Sequence, residues 1–320
     1  MQKEKTSDAI TTAVGNGKFS SFFSSLRNLT KNYMIFIKNK KALLGFSIIC
    51  FFVIIAVFAP YIATENPYSV ITQSPPFAPP NSKHFLGTDE IGRDVFSMLV
   101  YGSRASLIVG IVASLVTIIL GASLGLIAGY FGKIVDFILM RLADLFLVIP
   151  DLLLMLVLTT ILVDLKILAT MGEWGPLITV IIVIGIVSWP RTARVVRAQV
   201  LSVKERAFVE RARTIGSSDF HIILKHIFPN VFPLVFANAM LSISYAIFME
   251  SYLSFLGLTS GTFISWGMML KNAWDSVAVT RQAWWYILPP GICIVLVVLA
   301  FSLFGYALEE VLNPKLRKVY

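Results

Sequence analysis

Few residues of this chain are placed to do chemistry, and most of those lie inside apolar runs. Glu250 sits deep in one run, with Asn238, Ser242, Ser244 and Tyr245 on the preceding turns. An ionisable side chain is costly in hydrocarbon and is compensated by protein or water. The stripe therefore either lines a polar pathway or hydrogen-bonds helix to helix. In a second run Arg141 and Asp144, spaced i,i+3, can pair near one end, and Asp151 follows.

Catalytic signatures are missing. No G-x-x-x-x-G-K-[ST] phosphate loop occurs; Gly15-Asn-Gly-Lys-Phe lacks both the spacing and the hydroxyl residue. His84, His221 and His226 lie in separate loops or five residues apart, which makes no metal cage. No Ser, Cys or His constellation stands out as hydrolytic. Cys50 and Cys293 each fall in an apolar run and read as small apolar side chains. Enzymatic activity, metal and nucleic acid are not expected.

The elements that hold these residues follow from composition. Hydrophobic residues make up 57% of the 320 positions and charged residues 14%, against about 25% charged in soluble domains. Such a chain expects lipid as its solvent. About 20 apolar residues span the bilayer, and six runs qualify: Ala42 to Ile62, Ala105 to Gly129, Phe137 to Val163, Trp174 to Pro190, Val231 to Leu258 and Ile287 to Leu308. The runs are continuous, which implies helices and not a barrel. The first is preceded by 41 residues and followed by no small-residue cleavage site, so it reads as a span and not a cleaved leader. Placing both termini in the cytoplasm puts 21 of the 27 basic residues inside and six outside, the asymmetry that orients membrane proteins. The net charge of +9 is thus a topology signal.

The chain divides into a tail and interfacial helix (1–41), the first span (42–62), an outside loop (63–104), a five-helix core (105–308) and a second tail (309–320). From Phe19 the residues Phe22, Phe23, Leu26, Leu29, Tyr33 and Phe36 recur at helical spacing among Arg27, Lys31 and Lys38, the pattern of a helix on the membrane surface. Pro67, Pro75, Pro76, Pro79 and Pro80 forbid regular helix in the outside loop. The inside loop 191–230 carries eight basic and three acidic residues. Leu201, Ala207, Phe208, Ala212 and Ile215 can line one side of a short helix within it. It is too small for a catalytic domain and well sized for docking.

Laid out this way, the chain from about Lys38 to Arg317 resembles the C-type permease subunits of dipeptide, oligopeptide and nickel ABC importers. Glu210-Arg-Ala212, then Gly216 and His226-Ile-Phe-Pro229, is similar to the E-A-A…G…I-x-L-P signature of importer permeases. Arg211, His226 and Phe228 depart from its general form. Ser188-Trp-Pro-Arg191 and Lys204 to Glu210 match this branch, as do Phe85 to Asp94 and Tyr101-Gly-Ser-Arg104-Ala-Ser106. Ser254-Phe-Leu-Gly257-Leu, Ser265-Trp266-Gly267-Met and Trp284 to Gly291 continue the likeness. Met98, Thr262-Phe-Ile and Tyr306 stand where the branch commonly has Arg, prolines and Asp.

The resemblance implies an all-α type I importer bundle of six spans, with an interfacial helix and a cytoplasmic coupling helix. It implies a permease forming half of a pathway for peptides, or in the same architecture for oligosaccharides or nickel chelates. An ATP-independent channel is the rival of a different class. Coupling to the ATPase falls on Glu205, Glu210, Ala212, Gly216, Asp219 and Pro229. The pathway falls on Asn238, Ser242, Tyr245 and Glu250, and extracytoplasmic docking on Asp89, Arg93, Asp94 and Trp266. The implied partners are a B-type permease, two ATPase subunits that hold the ATP and magnesium, an external binding protein, and membrane lipid.

Overall fold

The computed structural model describes residues 39–68, 74–165, 169–259 and 263–312. The expected interfacial helix and all of both tails but residues 39–41 and 309–312 lie outside the described residues. Nine helices are named here: α1 (Lys40–Val57), α2 (Val95–Phe131), α3 (Lys133–Val148), α4 (Asp151–Asp164), α5 (Gly175–Lys204), α6 (Ala207–Thr214), α7 (Asp219–Phe255), α8 (Trp266–Asp275) and α9 (Trp284–Leu312). No strand occurs among the described residues, only an isolated bridge between Thr88 and Asp94.

Among the described residues, α1, α2, α5, α7 and α9 are long and apolar enough to cross a membrane, and the bent pair α3–α4 supplies a sixth crossing if taken as one span. The third expected run is therefore not a single helix. Its two halves meet at 90°. The cause is Pro150, which removes a backbone donor and pushes the preceding residue out of the helical region. Ile149 is accordingly extended, at φ −81° and ψ 131°.

Other boundaries also moved. Helix α2 starts at Val95, before the apolar run, because the Asp94 carboxylate accepts from Ser97 N at 2.8 Å and caps it. Helix α5 runs through Pro190 and on to Lys204, so most of the expected inside loop is helix. Within a bundle, neighbouring groups can satisfy the backbone positions a proline frees. Helix α7 likewise begins at Asp219 and passes through a π turn, Ile223–Ile227, into its apolar part.

Helices α2 and α5 are the closest-packed pair. A Cβ on Gly125 of α2 would lie 2.6 Å from the Ala193 carbonyl oxygen and 2.9 Å from Val196 Cβ. The backbones meet there because glycine lets them, the usual route to helix association without a hydrophobic drive. Toward the Lys204 end of this seam, Leu126, Tyr130, Val200, Val203, Ile222 and Ile227 form one apolar cluster. Toward the other end, Phe52, Met98, Ile247, Trp266, Met269 and Tyr286 form another. Phe51, Ile54, Leu115, Ile119 and Val295 face outward and exposed, as lipid-facing positions must.

Candidate functional site

At the Lys204 end, the chain passes from α5 to α7 through α6 and its flanking turns. Arg206 is extended, at φ −79° and ψ 142°, and sets α6 off from α5. The helix stops at Gly216, whose φ is +87°. Gly216 N–H donates to Arg213 O at 3.0 Å and Ser217 N–H to Ala212 O at 3.1 Å. This is the paired closure that favours glycine, because an L side chain is strained at such φ. The new turn opens at Ser218, whose Oγ accepts from His221 N at 3.4 Å.

The buried face of α6 differs from the expected one. Val209 and Ala212 point inward, whereas Phe208 and Ile215 are exposed, Ile215 at 84%. Two inward residues suffice because α6 leans on Val203, Ile222 and Ile227 rather than on a broad face. Glu205, Glu210, Gly216, Asp219 and Pro229 are all exposed, and Ala212 is buried. Asp219 accepts a hydrogen bond from the Tyr130 hydroxyl at the end of α2. Lys204 donates to the Tyr130 carbonyl, and the Lys204 and Arg213 cations stand over the Tyr130 ring at 5.6 and 5.8 Å. Tyr130 thus ties α6 and the start of α7 to α2 and α5. Sequence reading missed it, since nothing in its local pattern marks it.

The bent pair is clipped to α5 by three ion pairs: Asp136 with Arg197, Asp144 with Arg194, and Asp151 with Arg191. Asp144 therefore does not pair with Arg141 as expected. The arginines recur every three residues on α5 and present one face to the bend. Arg191 also lies over the Tyr245 ring at 4.8 Å, and the Tyr245 hydroxyl donates to Asp151 Oδ2 at 2.5 Å.

Two other members of the α7 stripe serve contacts within the chain. Asn238 Nδ2 donates to Thr192 Oγ1 at 2.9 Å, and Ser244 Oγ donates to the Val298 carbonyl at 2.8 Å. Glu250 is 1% exposed and accepts from Ser254 at 2.7 Å, Ser106 at 3.3 Å and Ser251 at 3.4 Å. These three hold helix to helix. Ser242 and Tyr245 remain half-buried.

Of the four residues expected to dock a binding protein, Arg93 is half-buried and the other three are buried. Asp89, Asp94 and Trp266 are at most 1% exposed. Asp89 holds the 89–93 turn by accepting from Arg93 N at 2.7 Å and Arg93 Nε at 2.6 Å. Trp266 Nε1 donates to Leu99 O at 3.0 Å. The conspicuous motif residues build the loop, because a proline-rich segment has no ladder of its own to satisfy its backbone. Burial pushes the Glu90 carboxyl above its ordinary range, and Asp89 beside it adds to the shift. His84 is held between Asp94 Oδ1 at 3.2 Å and Ser74 Oγ at 2.9 Å. The order is that of a hydrolytic triad, which sequence reading did not see. All three members are at most 8% exposed, so the serine is closed to a substrate and the set acts as a brace.

The geometry is that of a polytopic helical permease: apolar spans, one broken span clipped by ion pairs, and a short exposed helix on the face away from the 63–94 loop. A family model described as "Binding-protein-dependent transport system inner membrane component" matches residues 121–318. Another, for the N-terminal transmembrane domain of oligopeptide transport permease C, matches residues 33–80. The chain is 36% identical over 285 residues to the dipeptide transport system permease protein DppC of Bacillus subtilis (strain 168), covering 88% of this chain and 84% of that one. It is 34% identical to the oligopeptide transport system permease protein OppC of the same strain, with 91% of each covered. A solved methionine ABC transporter, MetNI in inward-facing conformations, shares the fold at a TM-score of 0.51 and 16% identity, covering 67% of this chain and 94% of that one. The chain belongs to the binding-protein-dependent transport system inner membrane components. It is a multi-pass permease subunit of an ABC transport system, a family of transporters and not of catalysts.

Proposed function

We propose that this chain is one of two permease subunits of an ATP-driven peptide importer, with both termini in the cytoplasm. Its partners are a second, B-type permease, two ATPase subunits that hold ATP and magnesium, and an external binding protein. The observation that carries the reading is α6: eight residues with Glu210 exposed, followed by the exposed Ile215, closed by Gly216 and braced to α2 by Arg213 standing over the Tyr130 ring. A short rigid helix can act as a lever, turning closure of an ATPase groove into movement of spans. The peptide cargo rests on relatives whose names are those of dipeptide and oligopeptide permeases.

The test is reconstitution of the complex and ATP-dependent uptake of dialanine. In a background lacking Cys50 and Cys293, Ser82→Cys is expected to react with an impermeant thiol reagent from outside, and Ile215→Cys only from inside. Both positions are exposed. Reversed labelling refutes the orientation, and uptake that persists without the ATPase subunits returns the chain to the channel class.

A further inference from the structure

The Asp151–Arg191–Tyr245 cluster has features that packing alone does not require. Helix α4 runs from Asp151 to Asp164, about 21 Å at 1.5 Å per residue. In hydrocarbon about 30 Å thick, that leaves Asp151 some 9 Å inside the far boundary. Arg191, paired with it, lies 16 residues along α5 from Gly175, about 24 Å by the same rise, in the half nearer the Lys204 end. The cluster is therefore at membrane depth. Its Arg191 side chain is nonetheless 52% exposed, against 14% for Asp151. A half-exposed guanidinium at that depth cannot face lipid, so it faces water or protein.

The groups are matched to one kind of ligand. A guanidinium offers five N–H donors in a fixed fork that fits a carboxylate. Beside it are the Asp151 carboxylate and the face of Tyr245, which both attract an ammonium ion. A free peptide carries both charges, a carboxylate at one terminus and an ammonium at the other. When no peptide is present, Asp151 and Arg191 neutralise each other. When one arrives, each charge can exchange its partner for a peptide terminus, so no bare charge is left in low dielectric. The sharp bend at Pro150 is what brings the first residue of α4 across to α5.

We propose that Asp151, Arg191 and Tyr245 form a station on the pathway that receives the charged termini of the transported peptide. This rests on the peptide-import reading and adds the residues that select the cargo.

The experiment measures dialanine uptake by the reconstituted complex, with assembly followed by co-purification and the binding protein's affinity measured separately. Asp151→Asn and Arg191→Gln are each expected to lower uptake about 10- to 100-fold, the loss of a charge-assisted bond. The double variant Asp151→Asn/Arg191→Gln decides the matter. It leaves no bare charge, so a purely structural pair would tolerate it and uptake would return to within about twofold of wild type. That return overturns the proposal; continued loss supports it. Arg191→Lys keeps the charge but not the fork, and remains readable if the neutral variants fail to assemble. It is expected to raise KM for dialanine with assembly intact, and wild-type kinetics in it overturn the proposal. Absence of dialanine and trialanine uptake by the wild-type complex would instead refute the peptide reading itself.

Discussion

Gly216 offers a sharp test of the lever, because its effect is confined to the backbone. Nothing lies within 4 Å of a Cβ built there, so a larger side chain meets no clash. At φ +87° an L residue pays about 1–2 kcal/mol, and a β-branched one is a genuine outlier. Relieving the strain by leaving this conformation breaks the bonds from Gly216 N to Arg213 O and from Ser217 N to Ala212 O, each worth about 0.5–1.5 kcal/mol. Either route destabilises the closed end of α6 by about 1–3 kcal/mol, a factor of about 5–150 in its population. Gly216→Val is expected to uncouple ATP hydrolysis, stimulated by loaded binding protein, from uptake in proteoliposomes. Gly216→Ala should be milder. Gly216→Asn should approach wild type, since asparagine tolerates this region. Full coupling in the valine variant, or an asparagine variant as impaired as valine, refutes the reasoning.

The remaining predictions concern packing, charge and thiols. Gly125→Ala is expected to destabilise the detergent-solubilised protein by about 1–3 kcal/mol through overpacking against α5. Gly291→Ala in α9, where a Cβ meets nothing within 4 Å, should be neutral or stabilising by about 0.5–1 kcal/mol; thermal unfolding compares the two. The raised Glu90 pKa means that ionisation opposes folding: stability is fully present below the ordinary 4.5 and declines as pH rises through the folded value. Glu90→Gln should therefore raise the melting temperature at pH 8 and lose that advantage in acid. Cys50 and Cys293 are half-buried and free, so replacing both with Ala should leave uptake largely intact.

Much of this protein was legible without coordinates. Apolar runs long enough to span follow from transfer free energies that each residue carries by itself. The α6 segment was legible as well, since Gly216 announces a helix stop that few other residues permit. What composition could not show is where polar side chains find their partners. Asp144 looks ready to pair with Arg141 on its own helix, yet it reaches Arg194 on α5, because a proline bend turned the chain through 90°. Asp89 and Asp94, expected at a docking surface, are buried and hold the turn and helix cap at the end of the loop, and Trp266 is buried against α2. Tyr130 carried no local signal at all. Hydrophobic burial is set by each residue's own transfer cost and can be summed along a chain, so spans are written in the sequence. Hydrogen bonds and ion pairs need two groups at one distance, and only the folded chain sets which distant segments meet.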